Sequence, residues 1–307
     1  MGRGRNALKF AGAKHRYCAR CQHRQFSHQW YSTAQMQELR ELLAGRTDQL
    51  PMDVVALQIA SIEFPELTVE PFLVLLDSYA SEFTDRVSDG TGGEEFLTLL
   101  NEYLFDELGF AGNQDDYYNP GNSCLNEVLT KRVGIPITLS LVYMEIGRRL
   151  GRELHGIGLP GHFLVQFVDR DFSVFVDPFG GGRLLFPAEC YELAASVTGV
   201  DMSGDVSVLQ PVSKRHIALR MLNNLRGAYF RQQNAPKAVK VLDLLIEAMP
   251  DSADCYKQRA ACLGLLQRYG AAKVDLESYL ALAPEATDRE QIEKQLNHIR
   301  RYLSALS

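Results

Sequence analysis

Two eight-residue runs, HFLVQFVD from His162 and DFSVFVDP from Asp171, most constrain the fold. Each carries apolar side chains at every second position, which is the period of a strand with one buried face, and the two flank a short turn at Asp169–Asp171, so they are expected to pair as an antiparallel hairpin. Facing Phe163 with Val176, Val165 with Val174 and Phe167 with Phe172 collects the apolar residues on one face. In that register His162 lies opposite Asp177 on the other face, where cross-strand Cβ atoms are roughly 5 Å apart.

A helix is expected before the hairpin. Leu139, Val142, Tyr143, Ile146 and Leu150 recur at helical spacing, Pro136 suits the first turn, and Arg148, Arg149 and Gly151 mark the end. Between helix and hairpin, RELHGIGLP reads as a strand; after the hairpin come Gly180–Gly182, the strand RLLF and the helix PAECYELAASVTG. The three glycines lack the Lys-Ser/Thr and helix of a phosphate loop, so no cofactor is expected.

From Ser32 to about Gly109 the pattern is helical, with four amphipathic segments expected to form an N-terminal layer. AGNQDDYYNPGNS is a turn-rich loop whose adjacent Asp115 and Asp116 read as solvated rather than catalytic. Ser123 or Asn122 is expected to cap the next helix, placing Cys124 at its N-terminus, where the dipole favours a thiolate.

Beyond about residue 211 the chain becomes wholly helical and repeats itself. Pro250 and Pro284 are 34 residues apart, Ala238 matches Ala272, Leu242 matches Leu276, and Tyr229 matches Leu263. That is the tetratricopeptide (TPR) period, with small residues where paired helices approach closely. Two repeats are few for a solenoid, so the preceding unit and the final helix, DREQIEKQLNHIRRYLSAL, are expected to cap them.

These motifs carry a resemblance. NPGNSCLNEVLTKRVGIPITLSLVYMEIGRRLG, with GLPGHFLVQF and VDPFGGG, resembles a transglutaminase-like (papain-like) core, and more closely the SirB-type family, in which such a core precedes TPR repeats. A related segment occurs in an F-box subunit of ubiquitin ligases. The resemblance implies an α+β fold and a Cys-His-Asp nucleophilic triad. His162 and Asp177 match the His and Asp; counting back from Gly151, the Cys position is Pro136. Without that nucleophile the covalent step of acyl transfer is lost.

The expected organisation is a basic tail over residues 1–31, a helical region over 32–118, the transglutaminase-like core with a small antiparallel sheet over 119–210, and a TPR-like domain over 211–307. The leading expectation for function is a non-catalytic regulatory or scaffold module whose TPR region contacts a protein or peptide. The alternative is a thiol acyl-transferase or hydrolase in which Cys124 is the nucleophile, His162 the base and then the acid, and Asp177 the residue that orients the imidazole. Against it, Cys124 lies twelve residues before the expected position and equally suits a buried apolar site.

Charge and cysteine usage narrow the setting. The tail holds seven basic residues and no acid, so the net charge of −6 leaves −13 for the remainder, which argues against nucleic acid as partner. No apolar run reaches the roughly 20 residues that span a bilayer, so no membrane insertion is expected. Six scattered cysteines suggest reduced thiols and a cytoplasmic protein. Cys18-x-x-Cys21 with His23 and His28 has poor zinc spacing, so no metal is expected. The acid-free start reads as an extension with no role in the fold, a transit peptide or an over-extended start being the other readings.

Overall fold

The computed structural model describes residues 33–88, 90–169 and 172–305. The basic N-terminal stretch, with Cys18 and Cys21, lies outside the described residues, as do Arg170 and Asp171 of the expected hairpin turn.

The helical layer comprises α1 (Thr33–Leu43), α2 (Met52–Ala60), α3 (Glu70–Thr84) and α4 (Gly93–Asn101), the last running into a π-helical turn, Glu102–Glu107. α1, α3 and α4 bury a stripe each, whereas α2 is apolar almost all round and is buried on nearly every side. It packs between α5 (Leu125–Lys131), α6 (Pro136–Arg149) and α8 (Lys214–Arg231).

Two short strands, β1 (Ala111–Gly112) and β2 (Val133–Gly134), run parallel and frame a 3-10 turn, Pro120–Ser123, and α5. The cap of α5 is Cys124 itself rather than Ser123 or Asn122, which belong to the preceding turn. In α6, Pro136 is the first helical residue after the extended Ile135, and Gly151, at φ +74°, follows the last turn.

The sheet is a four-stranded antiparallel meander of β3 (Leu154–Ile157), β4 (Leu164–Asp169), β5 (Phe172–Asp177) and β6 (Arg183–Leu185). The hairpin register differs from expectation: Val165 faces Val176, Phe167 faces Val174, and Asp169 faces Phe172. The displacement is two residues, an even number, so every side chain keeps its face. One face, with Phe163, Val165, Phe167, Val174 and Val176, joins the main core; the other places Leu164 and Phe175 beneath Cys190 and Ala194 of α7 (Pro187–Thr198).

Helices α8, α9 (Ala235–Ala248), α10 (Ala253–Leu265), α11 (Tyr269–Leu282) and α12 (Arg289–Ser304) complete the chain. Ala238 and Ala272 are fully buried, and the residues before α9 and α11 repeat an unusual turn, Gln233 at φ +54° and Gln267 at φ +58°. Arg259 joins the repeats by pairing with Asp243 and Asp275, each at 2.7 Å. α12 covers the open end with Ile292, Leu296 and Ile299.

No apolar gap separates the units, because one buried cluster extends from Leu39 to Ile299. Polar contacts reinforce the join. Glu63 accepts from the Tyr229 hydroxyl at 2.8 Å and from Lys237 at 2.7 Å, and Arg215 donates to the carbonyls of Leu43 and Ala248. Among the described residues no helix is long and apolar enough to cross a membrane.

Candidate functional site

His162 and Asp177 come together. His162 Nε2 lies 2.8 Å from Asp177 Oδ1, and the residues are 6% and 7% exposed. In the observed register they are not a cross-strand pair: His162 precedes β4 in a turn, and its ring reaches the end of β5 from there.

That turn is held from several sides. The His162 N–H donates to Leu159 O at 3.0 Å, and Gly161 has φ +73°. A Cβ on Gly161 would stand 2.5 Å from Val197 Cγ1 of α7, so glycine serves both the left-handed backbone and the close approach. Arg220 of α8 donates to Leu159 O at 2.9 Å and to His162 O, and its guanidinium lies over the Phe163 ring, 5.5 Å from the centroid. Ser140 of α6 donates to Phe163 O at 3.3 Å, fastening the helix that begins at Pro136 beside the start of the hairpin.

Asp177 is oriented as closely. Its Oδ1 also accepts from the Phe179 N–H at 3.2 Å, while its carbonyl accepts from Gly180 and Gly182. The three glycines thus turn the chain tightly against Asp177: a Cβ on Gly180 would lie 2.7 Å from Asp177 Oδ2, and one on Gly182 2.4 Å from Asn101 Oδ1. Asn101 donates to Gly182 O at 2.8 Å and accepts from the Tyr143 hydroxyl at 2.9 Å, so α4 and α6 both brace this turn.

Aromatic rings line the outer side. Phe179 stands edge-on to His162 at 5.8 Å between centroids and to Tyr117 at 6.1 Å; Tyr117 meets Tyr118, and Arg231 lies 3.6 Å from the Tyr118 centroid. Burial, with Tyr118 adding, raises the pKa of the Tyr117 hydroxyl. The exposed Asp116 is occupied locally, accepting from Asn119 at 2.9 Å.

Cys124 lies elsewhere in the hydrogen-bond scheme. It is fully buried, and its thiol donates to Pro120 O at 3.3 Å, not to His162. Burial pushes its pKa up, Glu63 and Glu127 push it further, and Lys237 opposes them. The expected lowering at a helix N-terminus is reversed, because α5 is short and loss of water outweighs its dipole. Cys124, Cys190, Cys255 and Cys262 are all free thiols.

A second polar group was not foreseen. Asp53, fully buried at the start of α2, meets Arg149 at 2.7 Å, and Arg149 also meets Glu145 at 2.8 Å and Asp77 at 2.6 Å. Burial pushes Asp53 up, but the charge and hydrogen bond of Arg149, with Arg148, take it below its usual pKa. Glu145 is raised by burial and by the neighbouring Asp53 charge. Sequence spacing marks Arg148 and Arg149 only as helix-end residues, and no local pattern links Arg149 to an acid 96 positions away. Among the described residues no group of three or more His, Cys, Asp or Glu side chains is placed to hold a metal ion.

Comparison with known proteins fits this arrangement. Residues 70–223 match the transglutaminase-like superfamily. The chain belongs to that superfamily. Residues 225–297 match the tetratricopeptide repeat. A UPF0162 protein of Xylella fastidiosa (strain Temecula1) is 34% identical over 253 residues, covering 81% of this chain and 90% of the relative. A UPF0162 protein of Pseudomonas aeruginosa is 29% identical, covering 80% and 89%. F-box only protein 21 of Mus musculus is 33% identical over 168 residues, 51% of this chain and 26% of that protein. The transglutaminase-like superfamily member described here therefore joins that unit to TPR helices within one continuous core.

Proposed function

We propose that the protein is a degenerate, non-catalytic transglutaminase-like module that acts as a scaffold, of the SirB-type kind, meeting a protein partner through its TPR region in the cytoplasm. The observation that carries this reading is Pro136 as the first residue of α6, where the resemblance calls for a thiol. Cys124 does not replace it: its proton is held by Pro120 O, and burial favours the neutral form. The His162–Asp177 pair then serves to fix the hairpin end, as buried polar groups that satisfy one another.

The enzyme reading retains one supporting observation, the 2.8 Å His162–Asp177 contact, which is how an imidazole is held for general base catalysis. The experiment that decides is thiol labelling of the native chain across pH, read per cysteine by mass spectrometry, with His162→Ala beside it. A Cys124 that stays inert, or reacts indifferently to His162→Ala, supports the scaffold. Fast labelling at neutral pH that slows in the variant overturns it.

A further inference from the structure

Helix α8, KRHIALRMLNNLRGAYFR, holds five Lys and Arg residues and no acid. None of the five is ion-paired with a carboxylate among the described residues. Lys214 donates to Asp48 O, Arg215 to Leu43 O and Ala248 O, and Arg220 to Leu159 O and His162 O. Arg226 stands 4.0 Å from Cys255 Sγ, and Arg231 lies over Tyr118. Elsewhere Arg149 and Arg259 each meet two or more acids, so a cluster of cations without counter-ions is unusual in this acidic chain. Burial lowers the pKa of Arg220, with Tyr117 only partly opposing, as expected for a cation lacking an anionic partner.

The four arginines divide between two flanks. Arg220, Asn224, Gly227 and Arg231 follow one another at spacings of four, three and four and share one side of the helix. Contacts at both ends turn this flank toward the transglutaminase-like unit, Arg220 at the His162 turn and Arg231 at Tyr118. Between them the surface is open. A Cβ on Gly227 would meet nothing within 4 Å, Asn224 makes no side-chain hydrogen bond among the described residues, and Tyr118 is 51% exposed. Arg215 and Arg226 lie on the opposite flank, toward α9 and α10.

We propose that the Arg220–Asn224–Gly227–Arg231 flank, with Tyr118 beside it, binds an acidic segment of a protein partner. Its carboxylates take up the charge of Arg231 and the free amide of Asn224, and its backbone passes over Gly227 toward the His162 turn. Arginine and tyrosine are the side chains that most often anchor such interfaces. The −13 charge outside the first 31 residues disfavours a long polyanion such as nucleic acid, whereas a short acidic segment meets mainly the local field of α8. This inference rests on the scaffold reading and names the chemistry of the partner.

The test is fluorescence anisotropy of a labelled oligoglutamate peptide with the full chain at low salt. Arg231→Glu and Gly227→Glu are each expected to weaken binding about tenfold or more, and Arg226→Glu by less than about twofold. Gly227 faces open space, so its substitution leaves the helix intact, checked by an unchanged circular dichroism spectrum. No binding, equal loss in Arg226→Glu, or tighter binding of a single-stranded oligonucleotide overturns the proposal. The outcomes separate the two readings. An inert Cys124 without oligoglutamate binding removes this site alone, and a His162-dependent Cys124 with binding intact removes the scaffold reading alone.

Discussion

The Tyr229 hydroxyl donates to Glu63 at 2.8 Å across the join between the N-terminal helical layer and the C-terminal helices. Tyr229 is fully buried, and Lys237 adds a second contact to the same carboxylate at 2.7 Å. Removing the hydroxyl as Tyr229→Phe leaves the ring in place and is expected to cost about 1.5 kcal/mol in urea unfolding. A double-mutant cycle with Glu63→Gln should return a coupling of about 1 kcal/mol. Strict additivity would mean that the contact contributes nothing to the join.

Gln233 and Gln267 hold the left-handed conformation, which disfavours any residue with a Cβ, at the same point of successive repeats. Gln233→Gly and Gln267→Gly are each expected to raise stability by about 0.5–1 kcal/mol, the relief of strain exceeding the added freedom of the unfolded chain. A lower urea midpoint in both variants would show that the glutamine side chains contribute something the backbone angle does not reveal.

Gly161 holds the His162 turn against α7. Gly161→Ala is expected to destabilise by about 2 kcal/mol, combining the left-handed backbone with the approach to Val197. Adding Val197→Ala should recover the steric part and leave the conformational part. If the pair is no more stable than Gly161→Ala alone, the clash is not with Val197.

The buried acids give stability a pH dependence that can be assigned. The Glu145 carboxyl titrates above its ordinary 4.5 in the fold, so its contribution to stability is full below that value and is lost as pH rises through the folded pKa. Gln does not titrate, so Glu145→Gln should gain on the parent as pH is raised from about 4.5 toward neutrality. Asp53, lowered by Arg149, works oppositely: its contribution is present above 3.8 and lost as pH falls through its lower folded pKa. Urea midpoints of parent and Glu145→Gln at acid and neutral pH check the sign, and a constant difference would mean that Glu145 does not titrate above its ordinary range.

What could be read from the sequence was local or even-numbered. The helices follow apolar spacing and end residues such as Pro136 and Gly151, and the repeat follows alanines and prolines counted at 34. His162 and Asp177 could be brought together despite the displaced register because a shift of two preserves faces. The displacement itself was invisible, since parity cannot distinguish one even register from the next. The environment of Cys124 was also hidden, because its helix-terminal position predicts one shift and its burial another, and only the packed chain decides. Arg220 was missed because the turn it holds lies 58 positions earlier in the chain.

The two family matches meet between residues 223 and 225, within α8. That helix buries Ile217, Met221, Leu222, Leu225 and Tyr229 in the common core while Arg220 grips the His162 turn. The boundary between the matched segments therefore crosses a rigid rod rather than a hinge. A cut placed at that boundary would sever α8 itself and strip each fragment of half the wall that closes its core.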